Sequence, residues 1–397
     1  KTIFYVLFLL TMFEIPIYYY GGYTIMPTTH SCARCLLDDS VPGISIADNG
    51  LCTKCNDHDC HYGNWDTHTT ERHTQLVSIA ERAKAKHRQF DAVVGLSGGK
   101  DSTYALLYAK QELGLNCIAV TFDNGMLSTF AKDNIRRITE KLGVAHIFFG
   151  PNREVLRTLY NKMMAKTGHF CPVCMGGIES AVASMLLAFE APLLIHATSR
   201  RTEEFVSREF FIPGDLSFIY DVFDGDAELV RAAESFIINP NAGGLNRYQA
   251  YYDEDARFKA TNGQEGLPFP LQLPEYVSWD PREIPQILEQ QIGWQHGGST
   301  ALAAEHMDCT AHPLVDYLRY RKFPALVPER LKYSALVSAG LMTREMAQDA
   351  LTGHNDTPLE PANLDVILEK IGIDYKALEQ SVQHPLRHLD YKAPESV

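Results

Sequence analysis

The stretch Gly95-Leu-Ser-Gly-Gly-Lys-Asp-Ser102 decides how the rest of the chain reads. An apolar run, Asp91–Leu96, predicts a strand before it, and Ser102–Leu113 predicts a helix after it. Glycines between a strand and a helix let backbone N–H groups approach an anion closely, and the positive end of the helix points at the same spot. The hydroxyls of Ser97 and Ser102 can donate hydrogen bonds there, Lys100 adds a positive charge, and Asp101 can hold Mg²⁺ among phosphates. The spacing does not fit G-x-x-x-x-G-K-[ST], so this is a phosphate loop of another kind.

Outward from this turn, strands and helices alternate. Gln75–Arg88 reads as a helix, Cys117–Phe122 as a strand, Ser128–Leu142 as a helix and Ala145–Phe149 as a third strand. Helices near Arg153–Lys166 and Met175–Phe189 then precede a strand at Pro192–Ala197. Such alternation predicts βαβ units and a parallel sheet covered on both faces, with ligands at the carboxyl ends of its strands. Residues 212–281 are less regular: Asp221–Glu228 reads as a solvated acidic face, and Pro-rich Leu267–Pro285 as chain crossing the surface between lobes. Helical patterns return at Glu283–Gln291, Leu314–Arg321, Thr343–Leu351 and Asn363–Ile371. The expected division is an incidental apolar leader at 1–25, a cysteine-rich segment at 26–65, the α/β domain at 66–211, and an irregular linker with a helical C-terminal lobe at 212–397. Glu14 and Pro16 break the leader before it reaches the ~20 residues of a membrane span.

The formal charge of −13 over 397 residues argues against a broad basic face for nucleic acid and favours a small-molecule or protein partner. Six of the nine cysteines fall in Cys-x-x-Cys pairs. In a chain that reads as an α/β enzyme this fits metal ligation in a reducing cytoplasm better than disulfides. Cys32-Ala-Arg-Cys35 and Cys52-Thr-Lys-Cys55 have the spacing of a two-knuckle zinc ribbon, and zinc would supply folding free energy that residues 26–65 lack. His58, Cys60 and His61 remain as substitutes for one ligand. Cys171-Pro-Val-Cys174 falls on the expected active face, and Glu305-His-Met-Asp-Cys309-Thr-Ala-His312 adds a thiolate and two imidazoles. Cys171, Cys174 and Cys309 suit a [4Fe–4S] cluster with one open iron, a second zinc, or no metal at all. Cys117, inside an apolar strand, reads as core.

The string Ser97–Ser102 resembles the SGGxDS signature of the PP-loop ATP pyrophosphatases. The resemblance implies a Rossmann-like, adenine nucleotide alpha hydrolase-like domain that splits ATP between its α and β phosphates and adenylates a substrate. It assigns ATP contacts to Gly95, Leu96, Ser97, Gly98, Gly99, Lys100, Asp101 and Ser102, with Ser97, Lys100 and Asp101 assisting the chemistry. It adds Phe122 and Asp123 from Val120–Gly125, and Thr198 and Arg200 from Ile195–Arg201. More narrowly, the chain resembles the N-acetyl sugar amidotransferases of surface-polysaccharide (O-antigen) biosynthesis. The matching features are the knuckle ending in Asp48-Asn-Gly-Leu-Cys52, Trp279, Glu305–Cys309 and Ser334–Ala347. That likeness implies ATP, Mg²⁺ and Zn²⁺ as cofactors, a nucleotide-linked N-acetyl sugar as acceptor, and ammonia from a separate glutaminase subunit. The acetamido oxygen would leave as AMP and an acetamidino group would remain. A second reading, from the Cys171/Cys174/Cys309 set, is a PP-loop sulfurtransferase acting on tRNA or a small metabolite.

Overall fold

The computed structural model describes residues 30–41, 43–63, 69–198, 216–239, 269–296, 308–322, 327–352 and 360–383. The leader at 1–25 lies outside them. Strand β1 (Ala92–Gly95) leads through helix α1 (Lys100–Gln111) to β2 (Cys117–Phe122), then through α2 (Thr129–Leu142) to β3 (Ala145–Phe149). Helices α3 (Arg153–Thr167) and α4 (Cys171–Phe189) carry the chain back to β4 (Leu193–His196). A fifth strand, β5 (Phe269–Gln272), completes a sheet of order β3-β2-β1-β4-β5, parallel at every pairing.

Period-2 alternation sorts the strand side chains onto two cores. Ala92, Val94, Cys117, Ala119, Leu193 and Ile195 face one core, built with α1, α2 and the 271–294 segment. Val93, Ile118, Val120, Phe122 and Leu194 face the other, with α3, α4 and C-terminal helices. Cys117 is buried in the first, as its apolar neighbours predict. The chain runs β1, β2, β3 in one direction and then returns to place β4 on the far side of β1. That reversal opens a crevice at the carboxyl ends of β1 and β4, where such sheets bind ligands.

Two readings of the middle of the chain need correction. The Pro-rich segment does not merely cross the surface: Phe269-Pro-Leu-Gln272 pairs with β4, and Leu271 and Leu273 are fully buried. Prolines conceal it because Pro270 offers no N–H, which only an edge strand tolerates. The acidic stretch contains two short helices, α5 (Ser217–Phe223) and α6 (Ala227–Glu234). Asp221, Asp224 and Glu228 do face solvent, but Phe223 and Leu229 between them are core. Among the described residues three further helices escaped the periodicity reading, Thr53–Tyr62, α7 (Pro328–Ser338) and α8 (Tyr375–Val382). Helix α4 also starts four residues earlier than read, so Cys171 and Cys174 occupy its first turn, with Pro172 between them.

Candidate active site and metal centre

The turn at residues 96–99 sits at the carboxyl end of β1, in the crevice. Gly98 has φ +82°, and a Cβ there would lie 2.4 Å from the Ala131 carbonyl oxygen of α2. Both the left-handed backbone and the close approach demand glycine. Trp294 Nε1 donates to the Gly98 carbonyl at 3.1 Å and Asn134 Nδ2 at 3.2 Å, so the turn is braced from two sides. Ser97 and Ser102 hydroxyls meet at 3.0 Å, Ser102 Oγ accepts from the Ser97 N–H at 3.1 Å, and Ser97 Oγ accepts from the Gly99 N–H at 3.3 Å. Helix α1 begins at Gly99 with no side-chain cap, whereas Ser128 caps α2 and Asn152 caps α3. With no capping side chain in the way, the positive end of the helix faces the crevice, where an anion would sit. Gly98→Ala is expected to weaken ATP binding by about tenfold or more, because the loop must move off α2 to fit a methyl. Calorimetric titration of the variant checks this, and an unchanged Kd would contradict the loop geometry.

Charged groups on this loop are held by the protein before any ligand arrives. Lys100 is buried, with Nζ 2.6 Å from Asp101 Oδ2. Trp279 Nε1 donates to Asp101 Oδ1 at 2.9 Å. Asp308 carries a second carboxylate to the same place: a Cβ on Gly99 would lie 3.3 Å from Asp308 Oδ2 and 3.3 Å from Ser97 Oγ. Burial pushes the Asp308 carboxyl up and the charge of Asp101 adds to this, against a hydrogen bond with Ser97 and the nearby His312. Sequence reading singled out Cys309 in this motif and passed over Asp308, Asn134 and Trp294. A buried tryptophan seeks a partner for its N–H, which is the signal that Trp294 offered.

Strand β2 ends at Phe122, whose ring packs against Gly177 so closely that a Cβ there would lie 2.3 Å from it. Asp123 is not a free strand-end acid: Arg153 Nη2 meets its Oδ2 at 2.5 Å, and Nη1 donates to its carbonyl at 2.8 Å. Thr198 follows β4 on the same face of the sheet. Arg200, and Glu305–Met307 with His306, lie outside the described residues.

Cys171, Cys174 and Cys309 gather beside this site. Asn124 Nδ2 donates to Cys174 Sγ at 3.2 Å, Leu127 and Cys309 form an antiparallel bridge, and the Thr310 N–H donates to the Met126 carbonyl at 2.7 Å. Burial raises all three thiols, that of Cys309 to about 12, and Cys174 is pulled back by bonds from Asn124 and Tyr160. Among the described residues, however, the group of metal-ligating side chains with ligand atoms mutually within 4.8 Å is Cys32, Cys35, Cys52 and Cys55.

Those four sulfurs form a second centre. Cys32–Cys55 and Cys35–Cys52 are 3.8 and 3.6 Å apart, and all four residues are buried. Tetrahedral ligation at ~2.3 Å per bond requires sulfurs about 3.8 Å apart, so the set fits a closed tetrahedral metal site. Backbone N–H groups of Arg34, Leu37, Cys52 and Cys55 point at the sulfurs. Cys60 is exposed, and His58, though buried, is outside the group of four. Helix α7 and helix α9 (Arg344–Thr352) wrap the cluster. Ser338 Oγ lies 3.2 Å from Cys55 Sγ, and Arg344 donates to the carbonyls of Cys32 and Cys35. The Ser334–Ala347 segment is thus part of the metal centre's surroundings, although it lies some 300 residues along the chain.

A family model described as queuosine biosynthesis protein QueC matches residues 91–167, the part from β1 through α3. Among solved structures, the chain is similar to NMN synthetase from Francisella tularensis, at 12% identity and a TM-score of 0.32, over 82% of this chain and 97% of that one. No curated protein matches. With its parallel sheet, its Ser97–Ser102 turn at the switch point and its Cys₄ cluster, the chain has a PP-loop ATP pyrophosphatase-like α/β core flanked by an N-terminal metal knuckle and a mainly helical C-terminal lobe.

Proposed function

We propose that the chain is an ATP-dependent, AMP-forming enzyme that adenylates an oxygen of its acceptor and then replaces it with a nucleophile. The observation that carries this reading is the uncapped start of α1 behind the Ser97–Ser102 turn, with Lys100 and Asp101 fixed beside it. In the first step the acceptor oxygen attacks the α-phosphorus and pyrophosphate leaves. The loop N–H groups and the two serine hydroxyls hold the departing phosphates, and Lys100 offsets the charge that builds there. Mg²⁺, held by Asp101, would neutralise phosphate charge when bound. In the second step the nucleophile attacks the activated carbon and AMP leaves. No side-chain nucleophile is needed for adenylation.

We take sulfur ahead of ammonia as that nucleophile. What supports it is the position of Cys171, Cys174 and Cys309, with Cys309 adjoining the Asp308 that stands beside Gly99 of the phosphate turn. These three residues would hold a [4Fe–4S] cluster or a zinc ion, which would bind sulfide as the nucleophile. Zinc is the metal proposed for Cys32, Cys35, Cys52 and Cys55, as a structural centre. The amidation of a nucleotide-linked N-acetyl sugar, with a glutaminase partner, rests on the likeness in sequence, and cytoplasmic location on the cysteine usage.

The test is incubation with ATP, Mg²⁺ and an acceptor panel of tRNA and nucleotide N-acetyl sugars, supplied with sulfide or with ammonium. Pyrophosphate with AMP is the expected nucleotide yield; ADP with orthophosphate would overturn the adenylation reading. An acceptor that exchanges oxygen for sulfur, and a Cys174→Ser variant that fails to do so, is the expected outcome. Exchange for NH instead, undiminished in Cys174→Ser, would return the assignment to amidation.

A further inference from the structure

Two carboxylates share the phosphate seat, and the protein treats them differently. Asp101 has a lysine ammonium on one oxygen at 2.6 Å and an indole N–H on the other at 2.9 Å. Asp308 arrives from a distant part of the chain and places Oδ2 at the mouth of α1, 3.3 Å from where a Cβ on Gly99 would stand. A triphosphate that uses the α1 N-terminus must rest on the same ground. The perch is built into the fold. Ser128 N–H donates to the Asp308 carbonyl at 2.9 Å, Thr310 N–H donates to Met126 at 2.7 Å, and the chain between them bridges Leu127. Asp308 therefore cannot swing away as a loose surface acid would.

Resting on the ATP reading above, we propose that Asp308 makes nucleotide admission depend on a divalent cation. Held in place there, its carboxylate, when ionised, repels a cation-free triphosphate at the loop, and a cation shared between carboxylate and phosphate turns that repulsion into attraction. Like charges brought together in a poorly hydrated site are strongly unfavourable, and a divalent ion inverts the local logic. Asp308 is thus a specificity-determining residue for the form of nucleotide bound, and it links the C-terminal lobe to the loop.

The experiment is calorimetric titration of the purified zinc-loaded protein with ATP in EDTA and with ATP in Mg²⁺, for wild type, Asp308→Asn and Asp308→Glu. Asparagine keeps the shape while removing the charge. Wild type and Asp308→Glu are expected to prefer MgATP strongly. Asp308→Asn is expected to bind Mg-free ATP about tenfold tighter than wild type, and to lose most of the preference for MgATP. A purely structural role would weaken both forms together and leave their ratio alone, which would overturn the assignment while sparing the ATP reading. No binding of either form to any of the three folded proteins would overturn both.

Discussion

Asp101→Ala is expected to abolish pyrophosphate release and also to lower the melting temperature. The functional part follows from removing the carboxylate beside the phosphates, a loss of about 10²–10³-fold in rate by the measure of other preorganised charge contacts. The stability part follows from what Asp101 touches. Lys100 is buried with its ammonium on Asp101, and Trp279 gives its N–H to the same side chain. Alanine leaves a buried cation without this counter-charge and an indole donor without this acceptor. Breaking a buried pair costs about 3–5 kcal/mol, reduced here to about 2–3 kcal/mol because Asp101 retains some exposure. From sequence, the residue looks as if it touches phosphate and metal alone, and a silent effect on folding would be the natural guess. Denaturant melts of Asp101→Ala and Asp101→Asn check the difference: asparagine should restore much of the stability and little of the turnover. A melt of Asp101→Ala identical to wild type would show that the loop charges are not held as described.

The second large effect is expected at the Cys₄ centre. Cys52→Ser should remove the metal, proposed above as zinc, and loosen two segments that are remote in sequence. Structural zinc in small modules contributes an apparent ~10–16 kcal/mol, and residues 30–63 have little core of their own to replace it. Leu331, Tyr333, Ala335 and Leu336 of α7 share one buried core with the four cysteines, so their support goes when the sulfurs spread. Zinc analysis should fall from about one equivalent to near none, and amide hydrogen exchange across 328–352 should accelerate with that of 30–63. Full metal content with unchanged protection in α7 and α9 would refute the role given to this centre.

Most of the α/β core was legible because it obeys simple periodicities. Strands β2 and β3 fall where the apolar runs begin and end, and the phosphate turn is set by glycines that only one backbone geometry explains. The four knuckle cysteines were legible from spacing alone. What stayed hidden depends on partners distant in sequence. Phe269–Gln272 reads as loop because prolines flank and interrupt it, and only its pairing with β4 makes it a strand. Asp308 sits beside a cysteine that draws the eye, and nothing local says that its carboxylate reaches the phosphate turn at Gly99. Asp123 reads as a nucleotide contact, and its pairing with Arg153 is a tertiary fact that periodicity cannot carry. Likewise Ser338 and Arg344 lie in an unremarkable helical pair until the metal knuckle is packed against them.

The embrace of residues 32–55 by residues 334–344 has a consequence for how the protein is made. At ribosomal speeds of about 5–20 residues per second, the knuckle emerges tens of seconds before the helices that shelter it. β5 is likewise synthesised long after the strand it joins. The newborn chain must therefore wait with exposed thiols and an unfinished sheet edge, and early capture of a metal by the four cysteines would be its first safeguard against oxidation and clumping.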